Sequence, residues 1–209
     1  MEANPVRIIQ YFDGTKQSLI PLFQRPYTWE KEKWAVLWDD IMAHYGTDAN
    51  TTHFMGAVVS IPVTTVPVGV NKHLVIDGQQ RLTTLAIILA VLRDAVDTRT
   101  ADRIDDYLIN RHYDGPDRLK LLPTHGDQEA YQLLVLGRAL STTPSLIKGA
   151  YEYFRQRLKE NHDSEPIDPL RFLETIEHNL QVVMINLGDT DDPYLIFESL
   201  NAKGEPLTL

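Results

Sequence analysis

Apolar positions along the chain follow helical spacing in some segments and strand-like spacing in others, which predicts a mixed α and β fold. An apolar stripe at helical spacing covers residues 34–45, and a more continuous one covers residues 82–96. Runs rich in β-branched residues at 54–61 and 73–76 predict strands, and residues 18–23 predict a further extended segment. Because the strand at 73–76 leads almost directly into the helix at 82–96, we expect that helix at the centre of the core.

The second half of the chain shows mainly helical spacing. The predicted helices have prolines or aspartates near several of their starts and cover residues 102–111, 127–138, 144–160 and 169–179. Strands are expected among them at residues 118–122 and 181–187, and a last helix at residues 194–200. We therefore predict an α+β fold in which residues 1–98 hold most strands and residues 99–209 form a mainly helical portion packed on them.

Composition and charge narrow the class of protein. A chain of 209 residues with 43% hydrophobic residues can bury a substantial core. The absence of cysteine excludes disulfides, thiolate zinc sites and a cysteine nucleophile. A formal net charge of -9 argues against coating nucleic acid by charge alone, so any DNA contact must be local. Without a secretory leader or a membrane-spanning run, we expect a cytoplasmic protein with no membrane partner.

A sharp turn between the 73–76 strand and the central helix is the first candidate site, with the sequence Asp77-Gly78-Gln79-Gln80-Arg81. A glycine there lets the backbone approach a ligand and leaves the first helical amides unpaired. Those amides, the helix dipole and the Arg81 guanidinium predict a phosphate site. Beside a phosphate, the Asp77 carboxylate would bind Mg²⁺ or orient a nucleophile. Gln79 or Gln80 would position an attacking water.

An ordinary structural interpretation of this turn stays open. Asp-Gly after a strand is also a common turn, and aspartate is a common helix cap. Thr83 and Thr84, in the first helical turn, would bond either a phosphate or the backbone. No Walker A motif is present, but two consecutive glutamines followed by arginine favour the functional interpretation slightly, because a cap does not need them.

The second candidate is the segment Gln-Arg-Pro-Tyr-Thr-Trp at residues 24–29, which precedes a predicted helix. Arg25 would bond phosphate, while Tyr27 and Trp29 offer ring faces to a base or an apolar modification next to the rigid Pro26. The alternative is burial of both rings against the next helix. We favour function for Arg25 and burial for the two aromatic rings.

The third candidate is the polar cluster at residues 197–204. Asn201 and Gly204 are typical of a plain helix C-cap. Asn201 and Lys203, with Glu198, would alternatively line the same pocket from its far side. The spacing leaves both interpretations open.

These three motifs, in this order, resemble the DGQQR-motif domain at the amino terminus of GmrSD-type type IV restriction enzymes and of phosphorothioate-sensing SspE antiphage proteins. The resemblance covers essentially the whole chain. It implies a ParB/sulfiredoxin-like core, nucleotide hydrolysis at the DGQQR turn, and usually a downstream or partner HNH-type nuclease domain. No nuclease signature occurs in these 209 residues, so we do not expect this chain to cleave DNA.

Specific residues take roles through this resemblance. The hydrolytic set becomes Asp77, Gln79, Gln80 and Arg81. The nucleotide-binding set becomes Gly78, Arg81, Thr83, Thr84, Arg25, Asn201 and Lys203. The residues that contact modified DNA become Arg25, Pro26, Tyr27 and Trp29. Asp77 is the expected Mg²⁺ ligand.

Two function hypotheses of different classes follow. The first is an NTPase, with GTP favoured by the resemblance over other NTPs, whose hydrolysis is coupled to sensing a DNA modification and controls a nuclease. A phosphorothioate is favoured slightly over a glucosylated base, because Pro26, Tyr27 and Trp29 would give sulfur an apolar contact. The alternative is a non-catalytic module that binds modified DNA through Arg25, Tyr27 and Trp29. An inactive scaffold that positions a partner nuclease is the least favoured possibility.

Overall fold

The computed structural model describes residues 2–47, 51–64, 68–188, 191 and 196. The strands in this part of the chain are β1 (Glu2–Arg7), β2 (Lys16–Leu19), β3 (His53–Thr64), β4 (Asn71–Asp77), β5 (Leu121–Leu122), β6 (Asn161–His162), β7 (Glu165–Pro166) and β8 (Leu180–Asn186). The helices are α1 (Ile8–Phe12), α2 (Lys31–Met42), α3 (Gln79–Arg93), α4 (Thr98–Leu108), α5 (His125–Val135), α6 (Leu146–Arg157) and α7 (Pro169–Asn179), with a 3-10 turn at Gly115–Arg118. No helix among these is long and apolar enough to cross a bilayer.

A mixed sheet organises the fold, with the strand order β1-β8-β3-β4-β2-β5, while β6 and β7 form a separate hairpin. Strand β4 runs parallel to β2 and antiparallel to β3. The carboxyl ends of β4 and β2 and the start of β3 therefore lie at the same edge of the sheet. The predicted α+β class is confirmed.

Strands from the second half of the chain complete this sheet. Strand β8 inserts between β1 and β3. Strand β5 pairs with β2 and is the outermost strand on the side of the sheet opposite to β1. The predicted segment 118–122 contains β5, and the predicted segment 181–187 covers β8 except for Leu180. The sequence did not predict β1 or the β6-β7 hairpin. Strand β1 carries Pro5 within an irregular polar pattern, which suits only an edge strand.

Helix α3 is the centre of the core, as the apolar pattern predicts, and every residue of it except Arg81 is buried. At its carboxyl end, the Arg93 guanidinium donates hydrogen bonds to the carbonyl oxygens of Val135 and Leu134, the latter at 3.0 Å. These carbonyl groups lie at the carboxyl terminus of α5, where the helix dipole favours a positive charge. Helix α5 is thus fastened to the far end of α3.

Two glycines allow the chain to pass close to itself beside the amino terminus of α3. Gly56 in β3 has a φ of +97°, where the pairing of β3 with β8 shifts in register between Phe54 and Ala57. Gly78, between β4 and α3, has φ 93° and ψ 4°. A Cβ added at Gly78 would lie 3.1 Å from Cγ2 of Val58 and 3.2 Å from the Ala57 carbonyl oxygen. The turn is therefore pressed against the bulged part of β3.

Substitution of Gly78 should destabilise the fold through both effects. For Gly78→Ala we expect a loss of about 2 kcal/mol in the free energy of unfolding, measured by urea denaturation, because the backbone is left-handed and the new methyl group meets β3.

Substitutions at two other glycines distinguish the effect of the left-handed backbone from the effect of the contact with β3. Gly14→Ala, at φ +78° with no atom within 4 Å of the added Cβ, should cost only about 1 kcal/mol. Gly126→Ala, equally open and within α5, should be neutral or stabilising by about 0.5 kcal/mol. A loss at Gly78 no larger than that at Gly14 would contradict the proposed close packing.

Candidate functional site

The amino terminus of α3 begins at a glycine turn without a side-chain cap. Gly78 occupies the N-cap position and has no side chain that could cap the first turn, and no other described residue is seen to cap it. The first amides of an α-helix have no partner within the helix, so those that follow Gly78 are available to phosphate oxygens. Asp77, Gly78 and Arg81 are half-buried, which leaves the turn accessible at the edge of the sheet.

The Arg81 side chain reaches back to β3. Its Nη1 donates a hydrogen bond of 3.0 Å to the carbonyl oxygen of Ala57. Its guanidinium also covers Gly56, where an added Cβ would approach Nη2 to 2.9 Å. The bulge in β3 thus supplies both the acceptor and the space for this cation. The sequence marks the bulge only through a glycine within a strand pattern.

Electrostatics around Arg81 suit an anion site. Burial lowers the pKa of Arg81, and the negative charge of Asp77 opposes that shift. Within the described residues, the guanidinium hydrogen-bonds to a carbonyl and forms no salt bridge. The remaining N–H groups of Arg81 therefore stay available beside Asp77 and the helix amides.

Gln24 and Gln79 connect the loop after β2 to this turn. Nε2 of Gln24 donates a 2.6 Å hydrogen bond to the carbonyl oxygen of Ile76, at the end of β4. Nε2 of Gln79 donates at 2.6 Å to Oε1 of Gln24. Both side chains are buried, and sequence analysis had assigned Gln24 no role. The predicted role of Gln79 in orienting water stays a prediction.

The Gln80 amide bridges two backbone groups of the same loop. Its Nε2 donates to the carbonyl oxygen of Pro26 at 2.9 Å, and its Oε1 accepts from the backbone N–H of Thr28 at 2.9 Å. Both ends of the amide are therefore engaged, and the side chain is only 8% exposed. This geometry gives Gln80 a role in holding the loop, and its predicted role in positioning water stays a prediction.

Tyr27 and Thr84 belong to a directed chain of hydrogen bonds inside the core. Nε1 of Trp34 donates to the Tyr27 hydroxyl at 2.8 Å, and the Tyr27 hydroxyl lies 2.7 Å from Oγ1 of Thr84. Oγ1 of Thr84 donates to the carbonyl oxygen of Gln80 at 2.8 Å, so it accepts from Tyr27. Burial raises the pKa of Tyr27, which keeps this chain uncharged.

Burial near these hydrogen bonds bears on three residues that the sequence analysis assigned to ligands. Thr84 is fully buried and the neighbouring Thr83 is only 3% exposed, so their predicted contact with a nucleotide has no support from this geometry and stays a prediction. The Tyr27 ring is 5% exposed, so it does not present a face to modified DNA. The burial that sequence analysis favoured for the aromatics is confirmed for Tyr27. Trp29 is half-buried and packs against the core.

The remaining residues of the second motif face outward. Arg25 and Pro26 are exposed, and the Arg25 side chain forms no hydrogen bond or ion pair with the described residues. The loop is anchored on its other side by Asp127, whose Oδ2 accepts the backbone N–H of Tyr27 at 2.7 Å. Sequence analysis missed this role of Asp127, although an aspartate in the first turn of a helix signals a free acceptor.

Exposed apolar side chains lie at the same sheet edge, and the sequence did not identify them. Leu22 and Phe23, in the loop after β2, are 85% and 46% exposed, and Phe54, at the start of β3, is 60% exposed. They, rather than Tyr27, are the apolar groups that a ligand at this edge would meet.

The expected Mg²⁺ site rests on one carboxylate. Among the described residues, no group of three or more acidic, histidine or cysteine side chains could hold a metal ion. Mg²⁺ often binds through one or two carboxylates together with substrate phosphates, so Asp77 fits that mode and does not fit a cage made by protein alone. Asn201 and Lys203, with the third motif at 197–204, lie outside the described residues.

Comparison with known proteins identifies the family to which the chain belongs. The family described as "GmrSD restriction endonuclease, N-terminal domain" matches residues 8–209 of the chain. No curated protein matches it. Since the match covers nearly the whole chain, including α3 and every strand of the sheet after β1, the chain belongs to the GmrSD restriction endonuclease N-terminal domain family.

Proposed function

We propose that this domain hydrolyses a nucleoside triphosphate at the amino terminus of α3 and thereby controls the nuclease of its restriction enzyme. The observation that carries the proposal is the uncapped helix start at Gly78, flanked by the Arg81 guanidinium and the Asp77 carboxylate. A restriction endonuclease acts on DNA, but the described residues that line this turn are suited to phosphate chemistry rather than to base recognition. The preference for GTP comes from the family resemblance.

Each residue of the turn has a distinct role in this proposal. The free amides after Gly78 bind non-bridging phosphate oxygens, and the Arg81 guanidinium neutralises charge that develops on the transferred phosphoryl group. Asp77 accepts a hydrogen bond from the attacking water or holds Mg²⁺ together with the phosphates. Mg²⁺ bound there would supply further charge neutralisation. Gln79 orients the water, and Gln80 holds the loop that carries Arg25.

DNA sensing is proposed for the exposed part of that loop. Arg25 supplies a cation for a backbone phosphate, and the exposed Pro26, Leu22 and Phe23 supply apolar contacts. A phosphorothioate replaces one oxygen by a less polar sulfur, so an apolar contact next to a cation favours it over an unmodified phosphate. Because Gln80 bonds the loop on both sides of Tyr27, a ligand at Arg25 acts on the same loop that packs against α3.

Hydrolysis should depend on the two charged residues of the turn. We expect Asp77→Asn and Arg81→Ala each to lower the rate of phosphate release from GTP with Mg²⁺ by roughly a hundredfold, because each removes a group that acts on the transition state. Phosphate release by the full chain is the measurement.

Matched variants at another surface give the control. Asp114→Asn and Arg118→Ala remove the same charges from an exposed pair 3.9 Å apart and should leave the rate unchanged. Thermal unfolding of every variant checks that the fold is kept. Unchanged hydrolysis in both turn variants would reject the enzymatic assignment and leave a binding module.

Modified DNA should bind through Arg25. We expect Arg25→Gln to weaken binding of a phosphorothioate duplex by roughly tenfold, because a charge-assisted contact to the backbone is lost. Fluorescence anisotropy of the phosphorothioate duplex and its unmodified counterpart, with and without GTP, measures the effect.

The comparison also separates the two function hypotheses. A catalytic sensor should show phosphate release that rises with the modified duplex, whereas a non-catalytic module should bind it with no release. Arg118→Gln, at a half-buried site outside the loop, is the matched control. Equal affinity of the unsubstituted chain for both duplexes would defeat the sensing proposal in either form.

A further inference from the structure

A second concave surface lies at the other end of α3, on the helical side of the domain. Two adjoining cavities of about 290 Å³ and about 360 Å³ share Asp94, Tyr151 and Arg155 in their walls. Arg138 and Lys148 border the first, and Lys159 borders the second. We call this surface the α6 groove. Since α3 has 15 residues, its two ends are about 22 Å apart, and the α6 groove is distinct from the DGQQR turn.

The α6 groove has a net positive charge, although the protein as a whole is acidic. The charged residues that line the α6 groove are four cations, Arg138, Lys148, Arg155 and Lys159, and two carboxylates, Asp94 and Glu152. The whole chain carries a formal net charge of -9. A polyanion is therefore repelled by most of the surface and attracted to this part of it.

The carboxylates in the α6 groove already have partners. Asp94 accepts from Nε of Arg93 at 3.0 Å and from the Tyr151 hydroxyl at 2.7 Å. Glu152 lies 4.0 Å from Nζ of Lys148. The exposed side chains of Arg138 and Lys159 form no hydrogen bond or ion pair within the described part of the chain. The unpaired charge of the groove is thus positive.

We infer that the α6 groove binds the sugar-phosphate backbone of duplex DNA, whatever the modification and without nucleotide. Lys148, Arg155 and Lys159 follow one another at seven and four residues along α6 and its continuation, or about 10 Å and 6 Å along the helix axis. These spacings correspond to about three and two steps of a duplex at 3.4 Å each. Membership of a restriction endonuclease family makes DNA the polyanion that the domain meets.

Removal of the two unpaired cations should weaken this contact. For Arg138→Gln combined with Lys159→Gln, we expect affinity for a short unmodified duplex to fall roughly tenfold in low salt, measured by fluorescence anisotropy without nucleotide. The slope of log affinity against log salt should become shallower by about 1.8, since each phosphate contact contributes about 0.9. Both side chains are exposed, so the fold should be kept.

The control variant carries the same net charge. Lys72→Gln combined with Arg118→Gln removes two cations that lie outside both cavities, and its affinity and salt slope should match those of the unsubstituted chain. Equal losses in the two double variants would show that only net charge matters and would overturn the inference. Unchanged binding in the groove variant would also overturn it. Because no nucleotide is present, failure here leaves the proposed hydrolysis untouched, and failure of hydrolysis leaves this result intact.

Discussion

Burial of α3 is the constraint on which the rest of the structure depends. Every residue of the helix except Arg81 is buried, so its axis is fixed by packing on several sides. A helix held in this way cannot turn its amino terminus away from the sheet edge, and its first amides keep one direction without a side-chain cap. Arg81 is the exception because it lies over β3, where the bulge at Gly56 makes room for it. The apolar core thus orients the proposed phosphate site.

The consecutive glutamines Gln79 and Gln80 connect the buried helix α3 to the exposed loop after β2. Gln79 bonds Gln24 and Gln80 bonds the backbone at Pro26 and Thr28, so two side chains at the start of one helix fix the whole loop after β2. Buried amides that lose such partners are costly, which keeps the loop and the helix together. The exposed Arg25 is held between these attachments.

Local sequence pattern predicted those parts of the fold that depend on neighbouring residues. The strand before Asp77, the glycine turn and the buried helix follow from apolar spacing and from the backbone freedom of Gly78. The insertion of β8 beside β3 joins segments far apart in the chain, and no local pattern encodes it. Local pattern also could not decide whether the Tyr27 ring is buried or contacts a ligand. An aromatic ring near a helix start suits either burial or stacking on a ligand, and only the contacts with Trp34 and Thr84 decide between them.

Charge distribution extends this argument from the turn to the whole domain. A net charge of -9 repels DNA from most of the surface. Cationic side chains can therefore attract DNA only where they are clustered or have no acidic partner. Arg25 at one end of α3 and the α6 groove at the other satisfy that condition within the described residues. The two sites are separated by roughly the length of α3, about two-thirds of a duplex turn of roughly 34 Å, so a duplex in contact with both would cross the elements that cover this buried helix. General attraction at the groove and selective contact at the loop would then be separate steps, which would let an acidic domain approach DNA without binding it indiscriminately.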